Sequence, residues 1–292
     1  MQVKDVIQKT TQFFRDKGFE SPRLDTELLL ASALRWERMK LYLNYEYPLS
    51  DEELASCREL VRRRGSGEPV AYILGEKGFY SHSFKVTKDV LIPRPETETL
   101  VESAIEWMKV NASSARIVDL GTGSGCIGLS LLAALPESSL LAVDISEAAL
   151  GIARENAELL GVSTRAKFHA GDASDLSMAV VEAQLGALAD VVVANPPYIA
   201  PNDPDVQENV RKFEPATALF SGADGLEHIR KWSFVAGVVA RAGAFTMFEI
   251  GHDQGRVAKE IFESTGFFEN VEIVRDLAGH ERFVRAQRKT GS

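Results

Sequence analysis

Apolar residues over the first 75 or so positions recur at helical spacing. Val3, Val6, Ile7, Thr10, Phe13 and Phe14 form one predicted helix face that breaks at Lys17-Gly18. After Ser21-Pro22, a second stripe of Leu24, Leu28, Leu29, Ala31 and Leu34 predicts another helix, with Ser21 as its candidate cap. Further helical periodicity follows Leu49-Ser50-Asp51-Glu52-Glu53, where Ser50 and Glu53 have capping-box spacing, and it runs into Arg62-Arg63-Arg64-Gly65. A run of arginines at a helix C-terminus is favoured by the macrodipole as a solvated end; the competing reading is a docking patch for a partner.

Residues 69–95 change character. Val70, Tyr72, Ile73, Phe79, Tyr80, Phe84, Val86, Val90, Leu91 and Ile92 alternate loosely with polar residues and glycines, which predicts a short β-hairpin leading into Ile92-Pro93-Arg94-Pro95. The expected division is a helical domain over 1–75, a hairpin linker over 76–95 and a larger domain over 96–292. Thr97 to Val110 reads as a helix with Leu100, Val101, Ala104, Ile105 and Met108 inward. Short apolar strands then alternate with helices: Ile117–Leu120, Leu140–Val143, a strand at Phe168, Asp190–Ala194 and Ala244–Ile250, with helices over Gly125–Leu135 and Glu147–Leu160. Val271–Val274 and Arg282–Val284, joined through Ala278-Gly279-His280, read as a closing antiparallel pair. The fold class implied is α/β: a doubly wound, mostly parallel seven-stranded sheet, Rossmann-like, with a small helical N-terminal domain.

Composition narrows the class. The chain has 292 residues, 45% hydrophobic and 26% charged, enough for one large core or two domains and unlike a disordered or fibrous protein. No apolar run approaches the ~20 residues of a membrane-spanning helix, and the acid-containing, amphipathic N-terminus does not read as a signal peptide. Cys57 and Cys126 form neither a disulfide framework nor a metal motif. A cytoplasmic protein without membrane partner or metal is expected. The net charge is −9, unevenly spread: residues 1–85 hold 14 Lys/Arg against 13 Asp/Glu, leaving 19 against 29, a net of −10, for residues 86–292. Extended nucleic acid is bound largely through phosphate neutralisation, so this balance disfavours it as a direct partner.

Three constellations bear chemistry. The first is Val118-Asp119-Leu120-Gly121-Thr122-Gly123-Ser124-Gly125, a strand running into a glycine-rich turn and then a helix. Glycines there allow a tight turn and let a ligand lie against main chain. The spacing is not the dinucleotide fingerprint, although Gly128 keeps that option open, and a carboxylate at Asp119 suits a cationic ligand better than a pyrophosphate. The second is Asp144, 19 residues past Gly125 at the end of the next strand, placed to accept from two ribose hydroxyls unless it serves as a helix cap, a task open to Ser146. Gly171-Asp172, past the third strand, is similarly placed to reach an adenine. The third is Asn195-Pro196-Pro197-Tyr198, directly after the fourth strand. Two prolines remove two N–H donors, so the main chain there can only accept. The Asn195 side-chain oxygen and the Pro196 carbonyl are candidate acceptors for a planar –NH2, and Tyr198 offers a flat face for stacking. An amide or amino nitrogen is a poor nucleophile until such acceptors pull its hydrogens out of plane.

Val118 to Tyr198 resembles a class I S-adenosylmethionine-dependent methyltransferase of the amino-methylating kind. Across nearly the whole chain, further stretches resemble the release-factor glutamine methyltransferase family (HemK/PrmC): Pro22-Arg23-Leu24-Asp25 with Glu27-Leu28-Leu29-Leu30, Gly67 to Gly75, Leu91-Ile92-Pro93-Arg94-Pro95-Glu96-Thr97-Glu98, Glu214-Pro215 with Ala218-Leu219, and Gly222 with Asp224-Gly225-Leu226. The resemblance implies methylation of the glutamine amide in the Gly-Gly-Gln motif of class 1 peptide-chain release factors, with S-adenosylmethionine as donor and S-adenosylhomocysteine as product. It implies that Asp119, Gly121, Thr122, Gly123, Ser124, Gly125, Asp144, Asp172, Ala173 and Asn195 hold the cofactor. Asn195, Pro196, Pro197 and Tyr198 would bind the glutamine, with Asn195, Pro196 and Tyr198 catalytic. Where the family often has a tryptophan against the adenine, this chain has Ala173, so the contact must come from elsewhere or be weaker. The alternatives are a nucleic-acid amino-methyltransferase, a non-catalytic S-adenosylmethionine sensor and, more distantly, a nicotinamide-dependent enzyme. Phe248-Glu249-Ile250-Gly251 and the tail Lys289-Thr290-Gly291-Ser292 carry no legible chemistry in the sequence.

Overall fold

The alternating apolar run that begins at Arg116 builds a seven-stranded sheet in the computed structural model, which describes residues 1–291. Ser292, the last residue of the tail, lies outside them. A separate hairpin precedes the sheet, formed by β1 (Glu76–Phe79) and β2 (His82–Lys85). The sheet strands are β3 (Arg116–Leu120), β4 (Ser139–Asp144), β5 (Ala166–Ala170), β6 (Ala189–Ala194), β7 (Ala240–Glu249), β8 (Phe268–Arg275) and β9 (Glu281–Arg288). Their order is β5-β4-β3-β6-β7-β9-β8. The first five are parallel, and β9 pairs antiparallel with both β7 and β8. This is the seven-stranded, mostly parallel α/β sheet that the strand–helix alternation predicts. The chain divides into two compact units: Met1–Glu76 with Glu208–Phe213, and Lys77–Gln207 with Glu214–Ser292.

Alternation along the strands explains the two layers of helices. Ile117, Leu140, Ala142, Val191, Val193 and Met247 point to one face, where they pack with Leu100, Met108, Leu129 and Leu132 from helices Glu98–Asn111 and Cys126–Ala134. Val118, Leu141, Val143, Val192 and Phe248 point to the other, against Val181, Val235 and Phe262 from helices Met178–Leu185, Glu227–Val239 and Gly255–Ser264. Every residue of β6 is buried, as a central parallel strand covered on both faces requires. The order reverses at β3 and β6, and the C-terminal ends of strands flanking such a switch point form a natural crevice.

The helical unit comprises Val3–Asp16, Pro22–Leu34, Arg38–Leu43, Asp51–Gly65 and Val70–Leu74, with the short segment Glu208–Phe213. The Ser50–Glu53 capping box forms, with Glu53 N donating to Ser50 Oγ at 3.2 Å and Ser50 N to Glu53 Oε2 at 2.8 Å. Ser21 makes no side-chain cap; Pro22 starts its helix without one. Leu29, Ala31 and Leu34 of the expected stripe are buried, but the inward face differs at the start of the helix. Leu24 is 42% exposed, whereas Asp25 and Glu27 are buried. They are tolerated because each has partners: Arg64 Nε donates to Asp25 at 2.8 Å, and Tyr42 OH donates to Glu27 at 2.6 Å beside Arg23. Residues 70–74 are a turn of helix, not strand, closed by Gly75 in the left-handed region, with Ile73 packing beside Phe14 and Leu29. The arginine run ends its helix with every guanidinium matched: Arg62 to Glu59, Arg63 to Glu68 and Arg64 to Asp25. This neutralisation accounts for the run as a helix end without invoking a partner.

Candidate active site

The chain leaves β3 through Gly121, Thr122, Gly123, Ser124 and Gly125 before helix Cys126–Ala134 begins. Gly121, Gly123 and Gly125 all have left-handed φ, of +70°, +55° and +82°. Four of the loop's five amides are spent inside the protein. Gly121 N and Thr122 N both donate to Val143 O at 2.9 Å, Gly123 N donates to Asp144 Oδ2 at 2.9 Å, and Gly125 N donates to Thr122 O at 2.8 Å. A pyrophosphate cradle needs several free, convergent N–H groups, so this turn is poorly suited to a dinucleotide. Gly128 adds nothing to that option. It sits buried against β4, where a Cβ would lie 2.9 Å from a Leu140 methyl and from Asp119 Oδ2.

Asp119 is fully buried beneath the loop. Its Oδ2 accepts from Thr122 Oγ1 at 2.7 Å and from Gly128 N at 3.1 Å, while Oδ1 has no partner. Burial pushes its carboxyl up to about 6 against these hydrogen bonds. Asp119 therefore braces the glycine turn from behind and does not reach the wall of the cavity in front of it. Gly125 is also absent from that wall; Gly121, Thr122, Gly123 and Ser124 are on it.

The cavity, about 980 Å³ with its open mouth, lies at the C-terminal ends of β3, β4 and β6. Asp144 is on its wall, with Oδ2 held by Gly123 N and Oδ1 by Ser146 N at 2.9 Å, each oxygen keeping a lone pair for a further donor. Ser146 caps the following helix through Ala149 N at 3.2 Å, which frees Asp144 from that task. Asp172 is on the wall as well, exposed, with Oδ1 accepting from Ser174 N at 2.8 Å. Ala173 is there too, buried. Two groups the sequence did not single out complete this end. Ile145 is 68% exposed beside Asp144, and His228 is held through Ser221 Oγ at 2.7 Å from its Nδ1. Desolvation holds the His228 imidazole below its usual range, so it is neutral at pH 7. Three carboxylates, Asp89, Asp144 and Asp172, face the cavity, and its one arginine, Arg94, is already paired with Glu214 at 2.6 Å. That charge balance and the ribose-ready Asp144 fit a cationic nucleoside.

Asn195-Pro196-Pro197-Tyr198 leaves the buried end of β6 on the same cavity. Asn195 and Pro197 are on its wall; Pro196 is buried behind, and Tyr198 faces the second core. Tyr198 thus does not present the stacking face expected of it in the cavity. Its hydroxyl donates to Glu249 Oε1 at 3.1 Å, and its carbonyl accepts from Gln254 Nε2 at 2.9 Å. Desolvation first, then the Glu249 charge, keeps the phenol protonated far above its usual range. Glu249 also accepts from Thr97 Oγ1 at 2.5 Å, and Asn195 Nδ2 approaches Thr97 Oγ1 at 3.4 Å. One buried carboxylate at the end of β7 therefore pins both ends of the Asn195–Tyr198 turn. Sequence reading missed Glu249, although an acid closing an apolar strand is the signal that exposed Asp144. Glu214 is the other omission of role. Its carboxylate ties Arg94 and Ile92 N, fixing the Ile92–Pro95 segment at the cavity mouth. Cys126 touches the cavity, but burial pushes its thiol up to about 12, which leaves it inert.

The chain is similar to proteins of known family. Residues 5–75 match the family described as PrmC N-terminal domain, and residues 99–220 match the methyltransferase small domain. A release factor glutamine methyltransferase of Rhodopirellula baltica is 40% identical over 290 residues, covering 98% of this chain and 96% of that protein. One of Chlorobaculum tepidum is 39% identical over 279 residues, covering 94% and 93%. Among solved structures, the hMettl16 catalytic domain, crystallised with the MAT2A 3′UTR hairpin 6, superposes with a TM-score of 0.55 at 16% identity, covering 83% of each chain, a likeness of fold. Among the described residues, no helix is long and apolar enough to cross a membrane.

Proposed function

The chain belongs to the release factor glutamine methyltransferase family, and from that premise we propose how its own residues perform the reaction. The protein is an S-adenosylmethionine-dependent protein-glutamine N-methyltransferase that acts on the glutamine of release factors. When bound, S-adenosylmethionine supplies a methyl group on a cationic sulfonium. Asp144 would accept from the ribose hydroxyls, and the turn from Gly121 to Ser124 would let the nucleoside lie against main chain. Asp172, Ala173 and the exposed Ile145 form the adenine end, Ile145 supplying apolar contact where Ala173 is too short to stack. The acidic wall favours the positive sulfonium over a neutral product, which assists release after transfer.

The glutamine amide of the release factor meets Asn195 and Pro196. The Asn195 side-chain oxygen and the Pro196 carbonyl each accept one amide hydrogen, which localises the nitrogen lone pair and aims it. The bound donor would supply its methyl as the carbon–sulfur bond gives way to the new bond to the amide nitrogen, and the nitrogen, now acidified, would give its proton to water. Tyr198 holds the turn rigid through Glu249. We assign recognition of the class 1 release factor to the helical residues 1–75, with 76–95 as linker and 96–292 as the catalytic domain. The observation that carries the reading is the Asn195–Tyr198 turn opening on the same cavity wall as Asp144. Two assays test it. Radiolabelled S-adenosylmethionine is offered with release factor, RNA or DNA, and label is expected in the protein alone. Asn195→Ala is expected to lose turnover while keeping S-adenosylmethionine affinity, and equal loss of both refutes the assigned role.

A further inference from the structure

Hydroxyl groups have one hydrogen each, and this fixes the direction of the hydrogen-bond chain behind Asn195. Glu249 is 1% exposed and lies between two hydroxyls, Thr97 Oγ1 at 2.5 Å from Oε2 and Tyr198 OH at 3.1 Å from Oε1. Both hydroxyls donate to Glu249; burial pushes its carboxyl up, and the Thr97 hydrogen bond, the Arg282 charge and the Tyr198 hydrogen bond oppose that and favour the ionised acceptor. Thr97 spends its only hydrogen on Glu249. Its oxygen is then left with lone pairs alone, and whatever Asn195 turns toward it must be a donor. That donor is the Asn195 –NH2, with Nδ2 at 3.4 Å. The Asn195 oxygen is left for the cavity.

We propose that Thr97 is a positioning residue for methyl transfer: as a one-way donor to Glu249, it forces Asn195 to present its side-chain oxygen, not its nitrogen, to the substrate amide. The inference rests on the reading of Asn195 as an acceptor for the glutamine amide. A flipped Asn195 would offer two hydrogens to a substrate group that also carries two hydrogens, and the contact would turn repulsive. The hydrogen bond from Asn195 Nδ2 to Thr97 Oγ1 distinguishes the two ends of the amide, so the orientation is set by Thr97. Thr97 lies on the cavity wall, 1% exposed, but its only hydrogen goes to Glu249, so it has none to give the substrate and acts on the amide through Asn195.

The full-length protein and an intact release factor serve for the test. Thr97→Val keeps the side-chain shape and removes the hydroxyl; Thr97→Ser keeps the hydroxyl and removes the methyl. Thr97→Val is expected to lower kcat about three- to tenfold, the worth of one orienting hydrogen bond, with S-adenosylhomocysteine affinity unchanged. Thr97→Ser is expected to restore the wild-type kcat. A Thr97→Val protein that binds S-adenosylhomocysteine normally and turns over at the wild-type rate overturns the inference, as does Thr97→Ser failing alongside Thr97→Val. If Thr97→Val does not fold, selectively 15N-asparagine-labelled wild-type protein decides the matter. An NOE from the Asn195 side-chain amide hydrogens to Thr97 Hβ is expected, and its absence from an otherwise assigned spectrum overturns the inference. Wild-type protein that leaves release-factor glutamine unmethylated would instead defeat the underlying functional reading, which keeps the two failures apart.

Discussion

Gly225 lies outside the cavity wall, yet the structure predicts that alanine there disables the enzyme. Its φ is +76°, and a Cβ built on it would lie 2.4 Å from the Tyr198 carbonyl oxygen and 2.9 Å from Gln254 Nε2, which donates to that same oxygen. The left-handed backbone costs an alanine about 1–2 kcal/mol, and forced overpacking typically adds about 1–3 kcal/mol, together about 2–5 kcal/mol. The clash is with main chain, so no rotamer relieves it. A real Cβ essentially never comes within 3.0 Å of another atom, and Tyr198 must therefore retreat by at least about 0.6 Å. The displaced segment is the turn that holds the glutamine amide, where misplacement by about 1 Å costs on the order of 100-fold in rate. Gly225→Ala is expected to lower the urea midpoint and reduce kcat about 10- to 100-fold, with S-adenosylhomocysteine affinity little changed. Both are read from denaturation curves, single-turnover methylation and calorimetric titration of one preparation. A folded Gly225→Ala protein with wild-type kcat and stability refutes the reasoning.

Two further perturbations address the cofactor end. Asp144→Ala removes a carboxylate that steadies Gly123 N and receives the ribose, and the loss of hydrogen bonds to a charged group, about 1.5–3 kcal/mol, predicts a roughly 10- to 100-fold weaker S-adenosylmethionine Kd by calorimetry; an unchanged Kd contradicts the assignment. Asp119 has its folded-state pKa raised from 3.8 to about 6, so the unfolded chain ionises first and wild-type stability declines as pH rises through that window. At about 1.4 kcal/mol per pH unit, the stability of Asp119→Asn relative to wild type should rise by about 2 kcal/mol between pH 4 and pH 7. A difference that does not vary with pH would show that Asp119 ionises normally.

Much of the fold was legible because strand burial writes itself as short apolar runs. Val191–Ala194, bounded by Asp190 and Asn195, reads as a buried strand, and the residues at its end followed as ligand candidates. The missed features share a physical cause: they depend on pairing between distant segments. Val70–Leu74 carries a strand-like run of apolar residues, but Pro69 and Gly75 bracket it as a helical turn, and Ile73 packs beside Phe14 and Leu29. The first turn of Pro22–Leu34 cannot be read from its own apolar stripe, since buried Asp25 is made acceptable by Arg64, 39 residues away. The cavity was legible at Asp144 and Asn195 because each closes a strand. Glu249 closes one too, but its meaning lies in Thr97 and Tyr198, at separations of 152 and 51 residues. Asp119 and Tyr198 were placed at the right ends of the right strands. Their side chains turn away from the cavity because hydrogen bonds to Thr122, Gly128 and Glu249 hold them there.

The central claim is that the Asn195–Tyr198 turn delivers a glutamine amide to the methyl donor. Its most direct test is peptide-resolved mass spectrometry of a class 1 release factor incubated with the enzyme and S-adenosylmethionine. The account predicts one added methyl on the side chain of the Gly-Gly-Gln glutamine, present with wild-type enzyme and absent with Asn195→Ala. A methyl on any other residue, or an equal yield from Asn195→Ala, would contradict it.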